Sequence, residues 1–116
     1  MLLMRSAKHV LVANAFASYR ESLAAVLRAS LPDVEVSETT SPELNREVLR
    51  LRPDLVVCSR ITSLVQARVE NWVELYPACE TFSTFCLGGE RFRKDNVNLN
   101  DLTSVVGRVR RTARTA

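Results

Sequence analysis

The stretch RPDLVVCSR, residues 52–60, decides the fold because it contains the most apolar run of the chain. Its core, LVVC at 55–58, has four consecutive apolar side chains and no polar face. Such a run is typical of a parallel strand that helices cover on both sides. Pro53 ends the preceding helix, because the residue before a proline avoids helical geometry. We therefore predict a central strand at 55–58.

Upstream of this strand, the pattern predicts two further strands, each followed by a helix. The run HVLVAN is short and apolar, and apolar side chains recur at helical spacing after it. The segment VEVS alternates, as a strand nearer the sheet edge does. The next helix has two candidate caps: Thr40, with Glu43 as its capping-box partner, or Ser41, ahead of a proline. These elements cover residues 9–14, 16–29 and 34–37 and a short helix that stops before Pro53.

Downstream, the pattern predicts a third helix, a hairpin and a closing helix. Apolar residues from 64 to 76, including Trp72, Val73 and Tyr76, recur at helical spacing, and we expect them to pack in the core. Residues 81–87 indicate a fourth strand, and a Gly-Gly pair then predicts a tight turn into an edge strand at 90–93. The closing helix carries Leu102, Val105, Val106 and Val109, with Asn100 or Asp101 as its cap.

Composition places the chain among ordinary globular proteins. Of its 116 residues, 47% are hydrophobic and 25% are charged. No apolar run approaches the ~20 residues that a membrane span needs. Arg5 and Lys8 interrupt the first apolar residues, so they make a poor signal peptide. We expect a cytoplasmic protein with no membrane contact, in which Leu2, Leu3 and Met4 either fray or add to a dimer seam.

The soft metal ligands are few. Cys58, Cys79 and Cys86 are odd in number and share no C-x-x-C spacing, and His9 is the only histidine. We therefore expect reduced, mostly buried thiols, with Cys58 inert and Cys86 more accessible, and neither a metal nor a cofactor.

Two segments carry a resemblance to a known family. RPDLVVCSR and residues 9–29, HVLVANAFASYRESLAAVLRA, resemble the receiver domain of bacterial response regulators, and the resemblance covers residues 8–76. Receivers carry a phospho-accepting aspartate six residues after the proline, and that position is Ser59 here. They end the first strand with an acidic pair that holds magnesium, and the matching positions are Asn14 and Ala15. The chain is also similar along its whole length to short bacterial proteins.

The resemblance implies a receiver without its phosphorylation chemistry. Phosphoryl transfer to a carboxylate needs the acceptor and a metal held by hard oxygen ligands, and these positions supply no carboxylate. The family's conserved hydroxyl matches Thr84 or Ser83 and its lysine matches Lys94, while the helix that usually joins strands four and five is missing.

Pattern and resemblance together predict one α/β domain over residues 1–116. We expect a flavodoxin-like, three-layer α/β/α sandwich with strand order 2-1-3-4-5, an antiparallel fifth strand and no fourth helix between the last two strands. In such sheets ligands bind beyond the carboxyl ends of the strands, here strands one and three. A crevice there would hold an anion or small molecule, unless its residues are the remains of a degenerate phosphorylation pocket. Its residues are Asn14, Ser18, Ser59, Arg60 and Thr62.

Three functions are compatible with these features. The first is a phosphorylation-independent, receiver-like interaction module that binds a protein partner or itself, as a homodimer. The second is a sensor that binds a small molecule or anion in the crevice. An enzyme is expected least, because no nucleophile–base pair can be assembled. The basic residues near the C-terminus suit a helix end, and without a reading element we do not expect a nucleic-acid partner. These are Arg108, Arg110, Arg111 and Arg114.

Overall fold

The computed structural model of the chain describes residues 8–76 and 80–109, which form six strands and four α-helices. The strands are β1 (Lys8–Ala13), β2 (Val34–Glu38), β3 (Leu55–Cys58), β4 (Trp72–Glu74), β5 (Phe82–Leu87) and β6 (Glu90–Asp95). The helices are α1 (Ala17–Ser30), α2 (Leu44–Leu51), α3 (Ser63–Arg68) and α4 (Leu99–Arg108), and a 3-10 turn, Ser41–Glu43, precedes α2.

One mixed sheet contains all six strands, in the order β2-β1-β3-β4-β5-β6. The first four of these are mutually parallel, as helical crossovers between strands require. β5 pairs antiparallel with β4, and β6 pairs antiparallel with β5. β6 therefore runs in the same direction as β1, at the edge of the sheet opposite β2.

Helices cover both faces of the sheet. β1 and β3 alternate their side chains between two hydrophobic clusters, so Val10 and Leu11 are both buried although they point to opposite faces. One cluster joins the sheet to α1 and α4, through Leu23, Leu27, Leu102, Val105 and Val106. The other joins it to α2 and α3, through Leu44, Val48 and Val65.

The predicted third helix is wrong beyond Arg68. α3 ends there, and the residues expected to continue its apolar stripe form β4 instead. Trp72 and Val73 are both buried, one in each cluster, which requires the two-residue alternation of a strand. Asn71 holds the chain at this point, because its side chain donates to the Asp54 carbonyl at 3.3 Å and accepts from the Gly88 amide at 2.8 Å.

The predicted order 2-1-3-4-5 therefore requires correction. The segments expected as strands four and five are β5 and β6, and β4 stands between them and β3. The Gly-Gly hairpin is confirmed: φ is +60° at Gly88 and +90° at Gly89, values that suit a two-residue primed turn. The strand that opposes the parallel set is β5, not the edge strand, because the extra parallel strand β4 shifts the reversal by one position.

Helix starts also differ from the predictions. Asn98 caps α4, accepting from the Asp101 amide at 2.9 Å, while the Asp101 carboxylate accepts from the Asn98 amide at 2.8 Å. Asp101 is thus the third residue of a capping box rather than the cap. At the 3-10 turn, Thr40 holds the cap position without a side-chain hydrogen bond.

Several sequence predictions fall outside the described residues: those on Leu2, Leu3, Met4, Cys79, Arg110, Arg111 and Arg114. Cys58 and Cys86 are free and buried, at 0% and 6% exposure, so Cys86 is the more accessible thiol by a small margin only. Among the helices of residues 8–76 and 80–109, none is long and apolar enough to cross a membrane.

Asn71→Ala tests the placement of β4. We expect it to lower the free energy of unfolding by about 1–3 kcal/mol, because it leaves the Gly88 amide without an acceptor and removes the bond to the Asp54 carbonyl. Urea unfolding followed by circular dichroism measures this change, with Ser104→Ala, at an exposed position of α4, as control. Equal stability of the two variants would contradict the strand assignment.

Candidate functional site

The loops after β1 and β3 meet at the carboxyl edge of the sheet. Ala13 and Cys58 are register partners, so Asn14 and Ser59 follow side by side. The Ala15 amide donates to the Ser59 hydroxyl oxygen at 2.9 Å, and the Phe16 amide donates to the Asn14 side-chain oxygen at 2.8 Å. Two of the predicted crevice residues are therefore brought together, but as acceptors that organise the start of α1.

Arg20 extends this network toward β2. Its guanidinium donates to the Asn14 carbonyl at 3.0 Å and lies 4.0 Å from the Glu38 carboxylate at the end of β2. Arg28 reaches the same carboxylate at 3.2 Å. The sequence gives no signal for the pairing of Arg20 and Arg28 with Glu38, because this pairing depends on how α1 packs beside β2.

Thr62 is also committed to the structure. Its hydroxyl oxygen accepts from the Val65 amide at 3.1 Å, which caps α3, and its hydroxyl donates to the Asn45 side-chain oxygen at 2.7 Å. It thus fastens the start of α3 to α2.

Glu74 is a residue of this edge that the sequence analysis missed. Its carboxylate accepts from the Ile61 amide at 2.8 Å, so an internal anion already uses a backbone donor of the loop after β3. Burial, aided by the Glu74 carboxylate, raises the pKa of the Cys58 thiol to about 12, which makes this thiol a poor nucleophile at neutral pH. The adjacent apolar residues Trp72 and Val73 are a sequence signal for a strand here. The helical spacing of the apolar residues from 64 to 76 favoured a helix instead.

Ser18 and Arg60 stand apart from the network. Both side chains are exposed, and neither makes a hydrogen bond or ion pair with another described residue. The predicted five-residue crevice therefore separates into three bonded residues, Asn14, Ser59 and Thr62, and two that face solvent.

The two carboxylates at this edge are engaged by other groups, since Glu38 pairs with Arg20 and Arg28 and Glu74 accepts from the Ile61 amide. Asn14 and Ala15 supply no carboxylate, and in the described part of the chain no three His, Cys, Asp or Glu side chains form a group that could hold a metal ion. With Ser59 accepting from a backbone amide, the arrangement is suited to bracing two loops and not to transferring a phosphoryl group.

Two surface grooves lie elsewhere. One, of about 300 Å³, lies between α2 and α3 at the amino end of the sheet and is lined by Val48, Leu49, Arg52, Pro53, Arg68, Val69 and Glu70. The other, of about 270 Å³, lies between α1 and the start of α4. We call it the α1–α4 groove; its lining residues are Tyr19, Ser22, Leu23, Val26, Val97, Asn98, Leu99 and Leu102.

Comparison of the chain with protein-family models, with curated proteins and with solved structures finds no match.

Asn14→Ala tests whether the carboxyl edge is a structural brace. Asn14 is 5% exposed and holds the first amide of the α1 turn, so we expect a loss of about 1–2 kcal/mol in the free energy of unfolding. Ser18→Ala, at an exposed position of the same predicted crevice, should change it by less than about 0.5 kcal/mol. Urea unfolding of both variants gives the comparison, and equal effects would speak against the brace.

Proposed function

We propose that the chain is a phosphorylation-independent interaction module, with the receiver-like architecture that its sequence resembles, and that it acts through its surface by pairing with a second copy of itself. The observation that carries this proposal is the contrast between its two candidate sites. The Asn14, Ser59 and Glu74 side chains at the carboxyl edge are bonded to loop amides, whereas apolar side chains of the α1–α4 groove are partly open to solvent.

A helix that only covers a core has its apolar side chains buried, whereas α1 has exposed apolar side chains as well. α1 buries Leu23, Ala24 and Leu27, but it leaves Tyr19 41% exposed and Val26 36% exposed in the groove. Leu99 adds a second apolar wall from α4 at 36% exposure, and Phe16, at the start of α1, is 68% exposed. Exposed apolar side chains from two helices that line one groove support a protein contact there.

The chemistry of the groove favours a second copy as the partner. None of its eight lining residues carries a charge at neutral pH, so two grooves related by a two-fold axis bring no like charges together. Partial burial, with a smaller contribution from Tyr76, raises the pKa of the Tyr19 phenol, which keeps it neutral. Each copy would offer the other an aromatic ring and aliphatic side chains, which are enriched where interfaces are fully buried.

The positions matched to the receiver's acids support the phosphorylation-independent part of the proposal. Restoring one group would not restore the chemistry, because Asn14 and Ala15 supply no charge to hold a metal next to Ser59. We also propose the cytoplasm as the compartment, since Cys58 and Cys86 are unpaired thiols.

Native mass spectrometry with matched charge variants tests self-association. We expect a dimer for the unmodified chain and a monomer for Val26→Glu and for Leu99→Glu, because either change buries an unpaired carboxylate in the interface. Leu49→Glu, at a 50% exposed position on α2 outside the α1–α4 groove, should remain dimeric. A monomeric unmodified chain would overturn the proposed pairing, and a covalent phosphoryl adduct would overturn its independence of phosphorylation.

The anion sensor remains the second candidate, on one observation: Arg60 is exposed at the carboxyl edge and is not engaged by any other described side chain. If the crevice binds anions, millimolar inorganic phosphate should raise the midpoint of thermal unfolding, and Arg60→Ala should abolish the rise. The proposed interaction module predicts no shift for either protein. A shift that survives Arg60→Ala would count against the crevice as the binding site.

A further inference from the structure

The outer side of β6 is a sheet edge with which no described strand pairs, and its hydrogen-bonding groups can be assigned. In a hairpin with a two-residue turn, the residues flanking the turn exchange hydrogen bonds, and such pairs then alternate along the strands. Leu87–Glu90, Phe85–Phe92 and Ser83–Lys94 are therefore bonded pairs. The bond from the Asn96 amide to the Thr81 carbonyl, at 3.2 Å, follows the same alternation.

The backbone groups of the intervening residues point away from β5. Arg91, Arg93 and Asp95 thus direct their amides and carbonyls outward, where no described strand pairs with them. All six residues of β6 are exposed, and the register with β5 is continuous, without a bulge that would twist the edge away.

Two arginines of this edge lie flat on the sheet. The Arg91 guanidinium lies 5.4 Å from the centre of the Trp72 ring and donates to Gln66 at 3.1 Å. The Arg93 guanidinium lies 3.9 Å from the centre of the Phe82 ring. These contacts hold both cations on the face that α2 and α3 cover, so they do not fold over the outward backbone groups.

The opposite edge of the sheet is protected differently. On β2, the Arg28 guanidinium donates to the Val36 carbonyl at 2.8 Å and also pairs with Glu38, so a side chain of α1 covers that edge. No comparable cover from a described residue is present along β6. Strand addition is therefore favoured at one edge only.

Charge determines which strand fits. Two copies of β6 paired about a two-fold axis on any of its six residues place like charges opposite one another. Registers centred on Arg91, Phe92 or Arg93 place arginine opposite arginine, one centred on Lys94 places lysine opposite lysine, and those centred on Glu90 or Asp95 place two carboxylates together. Like charges directly opposite one another destabilise a strand pair. A strand with acidic side chains opposite both arginines satisfies the same edge.

We propose that β6 is a docking edge for an extended, acidic protein segment that adds to the sheet as an antiparallel seventh strand. Two acidic residues, separated by one residue, pair with Arg93 and Arg91 on the face of α2 and α3. The residue between them lies beside Phe92, which stacks on Phe85 at 5.1 Å on the other face and is 41% exposed. The segment therefore has the pattern acidic–apolar–acidic, and this site is independent of the α1–α4 groove.

Fluorescence anisotropy tests this proposal on the unmodified chain, with the hexapeptide Ser-Glu-Val-Glu-Val-Ser-amide carrying the fluorophore on its amino terminus. We expect saturable binding that weakens as salt is raised, because exposed charges are screened. Replacing both glutamates by lysine should abolish binding. N-methylation of either glutamate nitrogen should also abolish it, since those amides pair with Arg91 and Arg93. N-methylation of the valine between them should leave it unchanged.

Protein variants locate the site. Arg93→Glu should weaken peptide binding at least about tenfold, whereas Arg108→Glu, an equal charge change at an exposed arginine at the end of α4, should leave it within about twofold. Circular dichroism checks that both variants fold. Absence of peptide binding at millimolar concentration, indifference to N-methylation of the glutamates, or equal effects of the two charge reversals would each overturn the proposal. None of these results depends on whether the chain dimerises through the α1–α4 groove.

Discussion

The burial of β1 and β3 on both faces is the constraint on which the rest of this structure depends. A doubly covered pair of strands excludes water along its length, so its backbone groups bond to the neighbouring strands, and polar side chains complete the bonding at the two ends. At the amino end, the buried Asp54 carboxylate accepts from the His9 amide at 2.8 Å and the Asp54 amide donates to the His9 carbonyl at 2.8 Å. At the carboxyl end, Asn14 and Ser59 bond the loop amides.

Because of this requirement, the bonded polar groups at the carboxyl edge have a structural role. Small polar side chains and the Glu74 carboxylate accept from the loop amides there and so join neighbouring loops. The bonds that stabilise the edge also occupy the groups that a ligand would need. Surfaces away from this edge, the α1–α4 groove and β6, are consequently the better candidates for recognition.

Segments with strong local patterns were predicted well, and those whose structure depends on distant partners were not. The predicted strands at 9–14, 34–37 and 55–58 correspond to β1, β2 and β3, and the glycine turn is confirmed. The stripe from 64 to 76 satisfies helical spacing and strand burial equally well, and it was assigned to the wrong element. That error also concealed Glu74, so the candidate site was predicted only in part.

Strands and turns that follow from a run of neighbouring residues can be predicted from the sequence alone. Four consecutive apolar residues at 55–58 cannot form a half-exposed element, and Gly88-Gly89 adopts positive φ without strain. The end of α3 and the start of β4 depend on tertiary contacts, because the Asn71 side chain bonds residues 17 positions away in both directions. The tertiary structure also decided the direction of β5 and the commitment of Ser59 and Glu74. Hydrogen bonds between distant residues cannot be predicted from the neighbouring sequence, whereas apolar periodicity and turn residues can be recognised there.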